Sequence, residues 1–265
     1  MTVKDIPGVP AYECAEYAPK ASRYCVLIPI INEGERIRHE LERAQAAGVP
    51  QLADLIICDG GSTDGCTEEA TLRVLGVNTL LTKTGPGRQG AQLRMGFWFA
   101  LQRGYEGIVT IDGNDKDSIE SVPLFLEKLE QGFDFVQGSR FIRGGVAEHT
   151  PPVRWLAVRL IHAPVISLTA GVRFTDTTNA FRAYSRRYLE DARVQPFRDV
   201  FSGYELLAYL STRAGQLKLR CCEVPVARRY PANEPAPTKI KGMRGNADLL
   251  RILFANARGC YLPKG

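Results

Sequence analysis

The densest chemistry in the chain lies in Ile108-Val109-Thr110-Ile111-Asp112-Gly113-Asn114-Asp115-Lys116-Asp117. The β-branched apolar run predicts a buried strand, and it stops in three carboxylates, an amide and a lysine. Carboxylates crowded at a strand end repel one another unless a cation is shared. The oxygen donors of Asp112 and Asn114 suit a hard divalent ion, Mg²⁺ or Mn²⁺. Three further clusters have similar character: Pro29-Ile30-Ile31-Asn32-Glu33, Asp59-Gly60-Gly61-Ser62-Thr63-Asp64 and Arg88-Gln89-Gly90. Asn32 and Glu33 can hydrogen-bond a base or ribose, or simply cap a helix. Asp59 is the stronger candidate for that contact, because Gly60 and Gly61 let the backbone approach a flat ligand. Asp64 is expected to cap the next helix. Arg88 and Gly90 open a helix, where backbone N–H groups and a guanidinium can hold phosphate.

The second half adds Asp176, in the polar loop before Phe181-Arg182. A carboxylate there can act as general base on an attacking hydroxyl or stabilise positive charge developing at a reacting carbon. Glu205 falls in an apolar helical segment, which implies an arginine partner or a role in a site. Arg228, Arg229 and Lys239 lie on or beside a proline-rich basic loop, expected to be mobile and able to close over an anionic ligand.

Positioning these groups requires an alternation of strands and helices. Tyr24 to Ile31, Leu52 to Cys58, Thr79 to Thr82, Gly107 to Ile111 and Phe133 to Gln137 read as strands. Helices are expected after Asn32 through about Ala47, from Thr67 to Leu75, Ala91 to Arg103 and Ile119 to Gln131, then from Trp155 to Leu168, Tyr204 to Ala214 and Asn246 to Ala257. Phe181 to Tyr184 and Lys218 to Val226 supply later extended segments, and residues 1–22 look like an irregular lead-in. This order implies an α/β fold with a mostly parallel, doubly wound sheet and functional groups at the carboxyl ends of its strands. No linker divides the chain, so residues 23–265 read as one domain, with residues 23–140 and 141–265 as its two functional halves.

With 265 residues and 45% hydrophobic content, the chain is large enough for one sizeable core. No apolar run approaches the roughly 18 to 20 residues of a membrane span, and no signal-peptide pattern opens the sequence, so a cytoplasmic protein without an integral membrane segment is expected. The seven cysteines are scattered without a C-x-x-C pair and read as reduced and structural. The net charge of +5 is concentrated in the arginines of the second half, which suits an anionic ligand such as a diphosphate. No aromatic-and-basic pattern points to nucleic acid.

Taken in order, the four clusters resemble the nucleotide-sugar half of the family-two glycosyltransferases, most closely the dolichyl-phosphate mannosyltransferase branch. The resemblance continues through Gly138-Ser139-Arg140-Phe141 with Gly144-Gly145, through Asp176-Thr177-Thr178-Asn179-Ala180-Phe181-Arg182, and through Glu223-Val224-Pro225-Val226 followed by Thr238-Lys239-Ile240. It implies a GT-A fold, a nucleotide-diphosphate-sugar donor with GDP favoured over UDP, and Mn²⁺ or Mg²⁺ at Asp112 and Asn114. Donor contacts are then expected from Pro29, Asn32, Glu33, Asp59, Gly61, Arg88, Gly90, Asp112, Gly113, Arg140, Arg228, Arg229 and Lys239. Asp176, Arg182 and Glu205 fall where the chemistry would occur. Where relatives commonly carry Asp-Ala-Asp, this chain has Asp112-Gly113-Asn114, with Asp115 and Asp117 as substitute ligands and Lys116 able to meet phosphate directly.

The expected activity is glycosyl transfer by cleavage of an anomeric C–O bond to an acceptor the sequence does not identify. The alternative is a pyranose–furanose mutase on the same scaffold, favoured by the altered metal motif and the lack of a hydrophobic tail. A non-catalytic nucleotide-sugar binding protein is a third reading. Apolar residues from Trp155 to Leu168 would serve a homodimer or a lipid-bearing acceptor.

Overall fold

Two short strands, β1 (Thr2–Val3) and β2 (Tyr12–Glu16), open the chain where the sequence predicts irregular backbone. Both pair antiparallel at one margin of the sheet, β1 as the edge strand on β2 and β2 on β5 (Val77–Lys83), and the prolines between them hide the pattern. The computed structural model describes residues 1–231 and 242–263, so Lys239 lies outside the described residues.

The centre of the sheet is β3 (Tyr24–Ile30), β4 (Asp54–Asp59) and β6 (Gly107–Thr110), parallel to one another and buried along their whole length. Complete burial explains why their sequences run apolar without alternation. β5 extends the parallel set beyond β4. On the other side β9 (Arg182–Ser185) inserts antiparallel between β6 and β7 (Phe135–Ser139), and β10 (Cys221–Pro225) adds parallel to β7. The order of the nine-stranded sheet is β1-β2-β5-β4-β3-β6-β9-β7-β10.

Successive residues of β3 serve opposite faces, as the pleat requires. Cys25 and Leu27 join a core with Cys58, Phe97, Tyr184 and Leu210, while Val26, Ile28 and Ile30 join a second core with Ile37, Leu41 and Phe125. The first core is covered by α3 (Gln89–Gln102), α6 (Ala163–Ala170) and α8 (Glu205–Gln216), the second by α1 (Glu35–Ala46) and α4 (Val122–Glu130). α2 (Glu69–Val74) and α7 (Arg186–Glu190) are short, and α9 (Gly242–Ala257) packs on α8 and α6. The fold is α/β, with helical layers on both faces of a mostly parallel central sheet.

One correction and one further feature bear on function. The expected mobile loop after Val226 begins as a short strand, β11 (Ala227–Arg229), paired parallel with β8 (Val146–Glu148). In addition α5 (Pro152–Ala157), one turn of π-helix and α6 make a continuous helical stretch, Pro152–Ala170, long and apolar enough to cross a membrane by length and composition. Arg154, Arg159 and His162 interrupt its apolar run, so sequence inspection alone passes over it.

Candidate active site

Parallel strands deliver their carboxyl ends to one edge of the sheet, and the chain past β6 turns there at Asp112. Gln89 in the first turn of α3 donates through Nε2 to Asp112 Oδ1 at 2.8 Å, and Arg228 approaches Oδ2 at 3.4 Å. Gly113 has no room for a side chain: a Cβ there would stand 2.5 Å from Ile30 Cγ2 and 2.9 Å from Ile28 Cγ2. The close approach seats the turn directly on β3. Asn114 then points a buried Oδ1 that has no hydrogen-bond partner.

The Asp112 carboxylate and, two residues on, an amide oxygen with its lone pairs unspent are donor types that suit Mg²⁺ or Mn²⁺. Asp115 and Asp117 are each ion-paired with an arginine. Asp115, in a left-handed conformation with φ 58°, pairs with Arg43 of α1 at 2.6 Å. Asp117 is fully buried and ion-paired with Arg228. Among the described residues no group of three or more His, Cys, Asp and Glu side chains is placed to hold a metal. A two-donor site of this kind takes its remaining ligands from substrate phosphates and water.

Arg228 reaches this position because residues 226–229 run alongside residues 116–118. Ser118 N donates to Ala227 O at 2.9 Å and Arg229 N to Lys116 O at 2.8 Å. The buried guanidinium therefore stands between Asp112 and Asp117 and faces the ring of Tyr230. Lys116 is buried alongside; burial and the adjacent Arg228 push its ammonium down to about 8, against the pull of Asp112. Burial would raise the Tyr230 phenol, but Arg228 and Arg154 outweigh it and bring it down to about 8. Tyr204, before α8, is raised by burial and then by the charge of Asp112, with Arg88 opposing. Arg229 points to Glu148 on β8 at 3.0 Å and is not part of this cluster.

The nucleotide-side candidates mostly organise their own loops. Asn32, with φ 49°, donates its backbone N–H to Ser62 Oγ at 2.9 Å and accepts at Oδ1 from Thr63 N at 2.8 Å. Asp59 is buried at the end of β4 and accepts from Gly61 N, Ser62 N and Ser62 Oγ. Glu33 pairs with Arg36, and Pro29 is buried within β3. Asp64 does not cap α2, which starts beyond Glu68; it accepts from Gly34 N at 2.8 Å at the entrance to α1. These bonds fasten the loop after β3 to the loop after β4 and leave Asn32 and Gly61 at the surface. Arg88 is exposed, and its backbone N–H donates to Ser202 O. Gly90 is needed for close approach instead of for an open phosphate cradle, since a Cβ would lie 2.5 Å from Gly203 O and 2.6 Å from Phe201 O.

In the second half, Asp176 is fully buried in a bidentate pair with Arg140, Nε to Oδ2 at 2.6 Å and Nη2 to Oδ1 at 2.9 Å. Asn179 Nδ2 and the backbone N–H groups of Arg140 and Thr178 also donate to it. Burial opposes the charge, yet Arg140 and these donors hold the carboxyl below its ordinary range. Arg140 itself lies in the field of Arg228 and Tyr230, so the pair borders the acidic turn. Glu223 on β10 fixes the same loop by accepting from Thr175 N and Oγ1 and from Asp176 N. Arg182 is buried away from the turn and clamps Thr177 O, Asn179 O and Leu207 O. Glu205 is half-buried at the start of α8 and accepts from Gly203 N at 2.6 Å, so no carboxylate is stranded in an apolar helix. Gln89, Tyr204 and Tyr230 border Asp112 and Arg228 without a local sequence signal, apart from the place of Gln89 between Arg88 and Gly90.

A sequence profile described as Glycosyl transferase family 2 matches residues 25–193, more than half of the chain. The chain belongs to this family. This family-2 glycosyltransferase is 29% identical over 223 residues to an undecaprenyl-phosphate mannosyltransferase of Micrococcus luteus, covering 83% of this chain and 88% of the relative. It is 27% identical over 240 residues to a polyprenol monophosphomannose synthase of Mycolicibacterium smegmatis, covering 89% and 88%. Among solved structures, glucosyl-3-phosphoglycerate synthase of Mycobacterium tuberculosis in complex with Mn²⁺, UDP and phosphoglyceric acid superposes with a TM-score of 0.62 at 19% identity, over 91% of this chain and 80% of the other. The likeness to that structure establishes the fold of the transferase. None of these relatives lends support to ring isomerisation.

Proposed function

We propose that this glycosyltransferase moves a hexose from a nucleotide-diphosphate sugar, with GDP favoured as the nucleotide, to the phosphate of a polyprenyl phosphate. The observation that carries the acceptor class is the Arg140–Asp176 pair. A hydroxyl acceptor needs a base to take its proton, and the best-placed carboxylate of the second half is locked in a buried ion pair. A phosphate monoester needs no such base, because its second ionisation lies near about pH 6 and its oxygen already carries charge. The printed names of the two curated relatives support the same acceptor and suggest mannose.

Asp112 and Asn114 would hold a divalent metal, which supplies positive charge to the departing diphosphate. Gln89 orients the Asp112 carboxylate. Arg228 and Lys116 add fixed positive charge where the diphosphate develops negative charge, in a setting poor in water. Asn32, Gly61 and Arg88 border the nucleotide, and Arg140 with Asp176 keeps the 175–179 loop and a cationic wall in register.

The test is incubation of purified protein with GDP- and UDP-hexoses, Mn²⁺ or Mg²⁺, and either a polyprenyl phosphate or the matching polyprenol. Transfer from a GDP-hexose to the phosphate alone is expected. Equal transfer to the alcohol, or a new nucleotide sugar of unchanged mass formed without acceptor, would overturn the proposal.

A further inference from the structure

The helical stretch Pro152–Ala170 is 22% buried, far too little for a core helix of that composition. Its open side carries Val153, Leu156, Leu160 and Leu168, exposed by 75%, 48%, 68% and 84%. Their spacings of three, four and eight residues trace one continuous stripe. Its other side, with Val158, Ala163, Ile166 and Ala170, packs into the protein.

Two arginines argue against a transmembrane path. Arg154 and Arg159 fall inside the segment, and carrying them into hydrocarbon is costly. Their placement instead matches a helix lying along an interface. Trp155 is exposed and meets Phe141 edge-on, and the Arg159 guanidinium sits over both rings at 5.4 Å and 5.2 Å. An amphipathic ring flanked by a cation belongs at the depth of lipid headgroups. Arg154 turns the other way and donates to the Tyr230 hydroxyl at 3.0 Å, and Tyr230 in turn accepts from Arg228, the partner of Asp112. The first turn of the helix is thus linked by three side chains to the acidic turn.

We propose that Pro152–Ala170 docks flat on an anionic phospholipid bilayer, with the leucine stripe among the acyl chains and Arg159 at the phosphates, and that Arg154 and Tyr230 hold the acidic turn at a fixed height above that surface. The net charge of +5 favours an anionic surface over a neutral one. The proposal takes its biological sense from the lipid acceptor inferred above, but docking itself requires no acceptor. The two therefore fail separately.

The experiment is flotation of the full-length protein with phosphatidylcholine vesicles, with and without phosphatidylglycerol, all lacking polyprenyl phosphate. The wild type is expected to float with the anionic vesicles and to be released by high salt. Leu160→Glu and Leu168→Glu should each weaken binding roughly tenfold or more, with unchanged circular dichroism and unchanged donor hydrolysis in vesicle-free buffer. Arg159→Gln should lower binding to anionic vesicles only. Failure of the wild type to float, or equal flotation of Leu160→Glu, would overturn the proposal. So would a wild-type dimer that Leu160→Glu splits without any vesicle binding, since a second copy would then cover the stripe.

Discussion

Asp176→Asn removes one charge from a pair whose side chains are 1% and 0% exposed and leaves the rest of the loop isosteric. The Arg140 guanidinium would then be buried without a counter-charge, and Asn179 Nδ2 would face an amide able to satisfy it with one oxygen only. Breaking a buried pair from one side costs about 3–5 kcal/mol. For a chain of this size that is a fall in melting temperature of roughly 6–20 °C. Urea denaturation followed by tryptophan fluorescence and far-ultraviolet circular dichroism measures the loss directly. The double variant Arg140→Met with Asp176→Leu should recover a large part of it. The pH dependence has a definite sign. The folded carboxyl titrates below its unfolded value, so its contribution is complete above about pH 4 and is lost as pH falls through the lower folded value. In Asp176→Asn that acid-side loss should shrink. A variant that is as stable as the wild type yet turns over many-fold more slowly would refute the reasoning and return Asp176 to the role of a chemical base.

Asp112→Asn should lower turnover on the order of 10²–10³-fold with little loss of stability, and chelation of divalent ions should abolish activity until Mn²⁺ or Mg²⁺ is restored. Gln89→Ala, which touches only the outer side of the Asp112 carboxylate, should raise the metal concentration needed for half-maximal activity roughly 10- to 100-fold. Gly90→Ala forces a methyl group against the carbonyls of Phe201 and Gly203 and should cost about 1–3 kcal/mol in a denaturation curve.

Much of the sheet edge was legible because β3, β4 and β6 are apolar throughout and end in polar residues, the pattern of strands covered on both faces. The orientation of individual carboxylates was not. Asp59 and Asp176 occupy the expected places, but only the structure shows both turned inward onto backbone or arginine donors. Arg228 reads as a loop residue because its partners Asp112 and Asp117 are 116 and 111 positions away, and no local pattern records such a pairing. β1 and β2 carry no such pattern because the antiparallel pairings at this margin of the sheet are short, and prolines and charged residues obscure them.

The seat of Gly113 on Ile28 and Ile30 makes the acidic turn and the third strand a coupled unit under substitution. Replacing Asp112-Gly113-Asn114 by Asp-Ala-Asp would restore a second carboxylate at the price of a methyl group inside two isoleucine side chains. A sequence drifting from one motif to the other therefore has to trim β3 first, for instance by Ile30→Ala, which removes the γ-methyl in the way, and the order of those steps is constrained. Grafting the second carboxylate alone, by Asn114→Asp with Gly113 retained, is the shorter route to a second carboxylate in this turn.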